Sequence, residues 1–157
     1  MERHGIDVPI EEIEHVDEHA TTVGASAEAT WDAIPAALSE VFGRTSGPIA
    51  RALGCEHVRA EGDPSRIGST LPGFVVARSI RPALVALQGE HRFSRYALIF
   101  HVDDRGDGTS RLRAETRADF PGTRGRLYRA AVIGTRGHVL AVRRMLGAIR
   151  RRAERSA

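Results

Sequence analysis

Two periodicities divide the chain. From Thr70 to Phe120 the apolar positions recur with the period of a β-strand, in four runs: Thr70–Ile80, Ala83–Gln88, Arg95–Val102 and Ser110–Phe120. In the last run Leu112, Ala114, Thr116, Ala118 and Phe120 alternate with Arg111, Arg113, Glu115, Arg117 and Asp119. That alternation predicts an antiparallel sheet with one face buried and the other wet. The stretch Asp103-Asp104-Arg105-Gly106-Asp107-Gly108 supplies the turn residues of a hairpin. After Pro121-Gly122 the period becomes helical and continues to about Glu154, which predicts one helix of about 30 residues and ~45 Å. One of its faces collects Leu127, Tyr128, Ala131, Thr135, His138, Val139, Val142, Met145, Leu146 and Ile149; the opposite face holds Arg126, Arg129, Arg143, Arg144 and Arg151.

The amino-terminal part reads less regularly. Residues 1–13, broken by Gly5 and Pro9, predict a loose or short helical lead-in, and a single domain follows over residues 14–157. His15 to Val23 predicts a first strand. Ser26 is the N-cap of a helix carrying Trp31, Ile34 and Leu38 on one stripe, with acidic residues in its first turn. A second short helix spans Pro48 to Leu53, closed by Gly54.

Composition narrows the class. With 157 residues, 41% hydrophobic and 27% charged, the chain is one ordinary globular domain. Cys55 is the sole cysteine, so no internal disulfide and no cysteine-based zinc site forms. The acidic start lacks the charge and polarity of a secretory signal, no apolar stretch reaches the length of a membrane span, and a cytoplasmic location is expected. All 23 basic residues are arginine, and asparagine is absent as well. Such a bias follows codon usage in a GC-rich genome, and a net charge of +3 is modest. Both argue against a nucleic-acid partner.

The order of strand, two helices, antiparallel strands and one long terminal helix resembles the α+β helix-grip fold of the START-like (SRPBCC) superfamily. That superfamily includes polyketide cyclases and birch-pollen-type allergens. Two stretches, Gly89-Glu90-His91-Arg92-Phe93-Ser94-Arg95-Tyr96-Ala97-Leu98 and Phe120 to His138, are similar to a group of bacterial members with no established reaction, as is the helix entry Ser26–Trp31. The likeness spans roughly residues 15 to 154. It implies a curved antiparallel sheet wrapped around the long helix, and a cavity between them for a small hydrophobic or aromatic molecule.

His138 is the most informative residue on the helix face turned toward such a cavity. Its imidazole suits a ligand hydrogen bond or acid–base work, against the plainer role of a buried histidine satisfied by the sheet. Tyr128 and Thr135 add a phenol and a hydroxyl to a stripe otherwise made by Val142 and Met145. Across from them the sheet offers Tyr96, Phe100 and Thr116, with Arg95 at a cavity mouth and Trp31 near the first helix. These ten residues are the ligand-binding candidates. Gly134 and Gly137 each cost about 1 kcal/mol in a helix interior, which points to close backbone approach, room for something else, or a kink.

Other motifs have plainer readings. His15-Val16-Asp17-Glu18-His19 matches the H-x-x-E-H spacing of inverted zinc peptidases. That chemistry needs a helix, whereas a strand sends Glu18 to the face opposite His15 and His19, so no metal site is assigned. The Asp103–Gly108 loop carries Arg105 where a calcium loop needs a ligand. Arg150-Arg151-Arg152 and Arg155 sit where a helix C-terminus favours cations. Ile133 and Leu140 face away from the stripe, either by chance or as a weak self-association patch that would support a homodimer. No cofactor and no catalytic residue is assigned. The reading is a small-ligand binding protein. A polyketide cyclase or dehydratase-like enzyme on the same fold is the first alternative, and an arginine-rich partner-binding or nucleic-acid-binding module the second. The sequence leaves open whether any reaction occurs.

Overall fold

The computed structural model describes residues 8–43 and 46–157. Six antiparallel strands form one sheet in the order β1-β6-β5-β4-β3-β2. They are β1 (His15–Val23), β2 (Thr70–Leu71), β3 (Phe74–Ile80), β4 (Leu84–His91), β5 (Ser94–Asp104) and β6 (Ser110–Asp119). Helices α1 (Ala27–Val41) and α2 (Ser46–Leu53) follow β1, and α3 (Gly122–Val132) and α4 (Gly137–Ser156) close the chain. This is the helix-grip α+β arrangement expected, with a long last helix against the sheet.

Local chemistry explains most boundaries. The Ser26 hydroxyl accepts the Ala29 N–H and starts α1. Gly54 ends α2 with φ +74°, a value glycine adopts without steric cost. On the inner sheet face Val85, Leu87, Leu98, Phe100, Leu112 and Ala114 pack against Trp31, Ile34 and Leu38 of α1 and against Val142, Met145, Leu146 and Ile149 of α4. Each of the larger side chains contributes about 1.5–3 kcal/mol by leaving water. Within this core the one inter-element hydroxyl pair, Thr30 with Ser110, is satisfied at 2.7 Å. At the far end of α4, Glu154 accepts the Gly24 N–H at 3.0 Å and so ties the helix to the β1–α1 turn.

Where it is described, the lead-in takes the short helical form, a 3-10 turn at Ile10–Glu12 that packs Ile10 and Ile13 onto Ala86, Ala97 and Ile99 of the outer sheet face. Arg117 holds it there by donating to the Ile13 carbonyl at 2.9 Å. The outer face is therefore partly covered. The expected single terminal helix is divided: residues 133–136 turn, and Arg136 adopts the left-handed conformation at φ 57°. Gly134 lies in that turn and Gly137 opens α4, so of the three readings of these glycines the structure shows the kink.

Candidate functional site

The break sets the geometry of the site. Because the chain turns at 133–136, α3 leaves the line of α4, and its helical phase is not that of α4. Leu127, placed on the buried stripe by a continuous helix, is 76% exposed. Ile133, placed outside, joins Val132 and Tyr128 in lining a pocket. The pocket has a volume of about 410 Å³. Its walls are α2 (Ile49, Ala50, Leu53), α3, the α4 residues His138, Ala141, Val142 and Met145, and the inner sheet face at Tyr96, Leu98, Thr116 and Ala118.

A chain of aromatic rings forms one side of it. Phe42 meets Phe74 edge-on at 5.3 Å, and Phe74 meets Tyr96 at 5.1 Å. His91 lies 5.3 Å from Tyr96 and 4.9 Å from Tyr128, and Tyr128 stacks on Phe93 at 5.6 Å. Edge and offset contacts of this kind add about 0.5–1.5 kcal/mol each. The Phe93 N–H donates to His91 Nδ1 at 3.1 Å, so the neutral ring carries its proton on Nε2. Burial lowers the pKa of His91. Burial raises that of Tyr128, with a smaller contribution from Cys55. Tyr96 is raised by burial and by Cys55, whose Sγ lies 3.7 Å from its hydroxyl. The phenol of Tyr96 donates to the Gly73 carbonyl at 2.7 Å. Its ring crosses Gly89, where any Cβ would stand 2.6 Å from Tyr96 Cε2 and would also strike the Gly73 carbonyl. Gly89 is required for this wall.

A polar group adjoins the pocket through the lining residues His138 and Thr116. His138 reaches from α4 to β1, where its Nε2 lies 2.6 Å from Asp17 Oδ2. His19 Nε2 shares that oxygen at 3.2 Å. Burial favours the neutral acid at Asp17, but the hydrogen bonds from His138 and His19 outweigh it and lower its pKa. His138 Nδ1, Asp17 Oδ1 and Thr116 Oγ1 are buried without a protein partner. Asp17 and Thr116 are cross-strand neighbours in the β1–β6 pairing. A buried polar atom left unpaired costs about 1–3 kcal/mol.

The structure thus brings six candidates, His138, Tyr128, Val142, Met145, Tyr96 and Thr116, to one pocket. The other four lie elsewhere. Thr135 is exposed in the inter-helix turn, its hydroxyl donating back to the Ala131 carbonyl. Phe100 is fully buried in the core. Arg95 pairs with Asp119 at 3.4 Å, on the opposite sheet face from Tyr96. Trp31 donates its indole N–H to the Leu84 carbonyl and packs in the core. Sequence reading missed Asp17, Phe42, Phe74 and Cys55. Asp17 had a signal: on a strand it alternates with His19, Thr21 and Val23, which face inward. A bulge between His15 and Asp17 also puts His15 on the outer face, bonded to Glu115 at 3.2 Å. His15 therefore shares a face with Glu18, which bonds Arg113, and is separated from His19. The H-x-x-E-H spacing is dismantled more thoroughly than simple alternation predicts. Among the described residues no group of three His, Cys, Asp or Glu is placed to hold a metal.

Charge is unevenly divided. Residues 121–157 hold ten arginines against one glutamate, whereas residues 1–120 hold thirteen against nineteen acidic residues. The excess of basic residues thus falls on the segment that carries α3 and α4. Among the described residues no helix is long and apolar enough to cross a membrane.

Comparison with known proteins agrees with this geometry. No protein-family model matches the sequence, and no curated protein does. Solved structures do match. The ZhuI aromatase/cyclase from Streptomyces sp. R1128 superposes with a TM-score of 0.57 at 15% identity, over 92% of this chain and 95% of that one. Norcoclaurine synthase from Thalictrum flavum gives 0.56 at 18%, over 88% and 94%. A conserved protein from Geobacillus kaustophilus gives 0.55 at 19%, over 88% and 95%. The chain therefore shares the helix-grip fold of these structures. At these identities the likeness carries the fold, and function has to be argued from the site.

Proposed function

We propose that this protein binds a small apolar or aromatic molecule in the pocket between the sheet, α2, α3 and α4. The observation that carries the reading is the pocket itself: about 410 Å³, walled by aliphatic and aromatic side chains, with unpaired buried polar atoms on the lining residues His138 and Thr116. That combination of an apolar wall with a few convergent polar groups is what small-molecule sites share. Native mass spectrometry and solvent extraction of purified protein test it, with a thermal-shift panel of bicyclic aromatics and fatty acids. The expected result is a bound species and a concentration-dependent rise in Tm. No bound species and no shift across the panel would reject the reading.

An enzyme of the same fold is a second reading, favoured by the Asp17–His138 contact. A carboxylate that orients the imidazole of a pocket-lining histidine is the arrangement of a general base. Turnover of a bound ligand that disappears in Asp17→Asn while binding persists would support it. Binding without product in either protein would leave the carrier.

A further inference from the structure

Resting on the binding reading, we infer that the polar group adjoining the pocket is built to receive a ligand hydroxyl, so that the preferred ligand is a hydroxylated aromatic rather than an ether or a carboxylate. The argument starts from Asp17. Its carboxylate has no proton to give, so the 2.6 Å contact with His138 requires Nε2 to be the donor. In the neutral ring this fixes the tautomer and leaves Nδ1 as a pure acceptor. That acceptor is buried, lacks a protein partner, and belongs to a residue lining the pocket.

The two other unpaired atoms extend the demand. Thr116 Oγ1, also in the pocket lining, can both donate and accept, and Asp17 Oδ1 behind it is a further acceptor. The site thus holds more acceptors than its one donor, the Thr116 hydroxyl. A phenol or alcohol supplies the missing hydrogen to His138 Nδ1 and can take one from Thr116. An ether oxygen supplies no hydrogen. A carboxylate supplies none either, and meets the charge of Asp17. The rest of the pocket selects the remainder of the molecule, because the rings of Phe74, Tyr96, His91 and Tyr128 present aromatic surface. The fit is to a hydroxyl on a flat apolar frame.

The experiment uses three probes of one frame, 1-naphthol, 1-methoxynaphthalene and 1-naphthoate, titrated into the full chain by calorimetry at pH 8. The inference expects 1-naphthol to bind about tenfold more tightly than 1-methoxynaphthalene, the worth of one buried hydrogen bond, and 1-naphthoate to bind no better than the ether. Asp17→Asn, whose amide can donate to His138 Nε2 and so move the ring proton to Nδ1, should reduce the naphthol-to-ether ratio toward one. Thr116→Val keeps side-chain shape and removes a donor that either ligand oxygen can use, so it should weaken both ligands and leave the ratio in place; a ratio that falls to one in Thr116→Val would overturn the assignment to His138 Nδ1. Naphthol and ether binding equally in the parent protein would overturn the inference while leaving the pocket a binding site. A preference for naphthoate would also overturn it, since Nδ1 would then be a donor. Binding of none of the three would reject the inference together with the reading on which it rests.

Discussion

Gly89 offers the sharpest test of how the pocket wall is made. It sits in β4 directly opposite Tyr96 in β5. A methyl group there would stand 2.6 Å from Tyr96 Cε2 and 2.8 Å from Cζ, and would collide with the Gly73 carbonyl. Neither neighbour can yield cheaply: one is main chain, and the other is a ring clamped between Phe74 and His91. Gly89→Ala therefore carries an overpacking cost of about 1–3 kcal/mol. If the ring swings away, the Tyr96–Gly73 hydrogen bond is lost as well, at about 0.5–1.5 kcal/mol. The restricted unfolded chain returns about 0.4–1 kcal/mol. The net loss is about 1–4 kcal/mol, which for a domain of this size lowers Tm by roughly 3–12 °C. Urea and thermal unfolding of Gly89→Ala, Tyr96→Leu and the double variant would measure it. The cycle should show a coupling of at least ~1 kcal/mol, because Tyr96→Leu removes much of what the new methyl strikes. An unchanged or raised Tm for Gly89→Ala, or strict additivity in the cycle, would refute this account.

The remaining expectations follow from single contacts. Thr116→Val removes a buried hydroxyl without a partner, so the ligand-free protein should gain about 1 kcal/mol and melt some 2–4 °C higher in calorimetry. Ser26→Ala removes the N-cap of α1 and should cost about 0.5–2 kcal/mol in urea unfolding. Asp17 has a depressed pKa in the fold, so its contribution is present above the unfolded value near 4 and is lost as pH falls through the lower folded value. The stability difference between parent and Asp17→Asn should accordingly be larger at pH 7 than at pH 3. By hydrogen exchange, amides of α3 should exchange well before those of α4. Only Gly125 is buried on α3, whereas α4 buries Val142, Met145, Leu146, Ile149 and Ala153.

The sheet and α1 were legible in the sequence because their signals are local: strict alternation in β6, and Ser26 with a helical stripe behind it. Half of the pocket was legible for the same reason, since Tyr96 and Thr116 stand on inward strand positions and Val142 and Met145 on the stripe of α4. The rest depends on events that a periodicity average smooths over. Arg136 in the left-handed conformation resets the helical phase, exposing Leu127 and turning Ile133 inward. No β-bulge is written in the alternation of residues 15–23, yet the one after His15 decides which histidine meets Asp17. The Asp17–His138 pair joins residues 121 positions apart, and only the folded topology brings them together. Trp31 and Phe100 satisfied every local criterion for cavity lining, but packing placed them in the core.

The turn at 133–136 also bears on how a ligand would be admitted. A continuous final helix would couple the pocket mouth to the hydrophobic core, so that any opening would pull Val142 and Ile149 out of their packing. With the helix divided, Tyr128, Val132 and Ile133 ride on a segment that buries little of its own surface. Displacing that segment costs contacts with its neighbours and leaves the α4–sheet interface in place. If the pocket takes a ligand as proposed, the part packed for stability is separate from the part that would yield to admit it. Arg136, strained and exposed, sits at the joint between them.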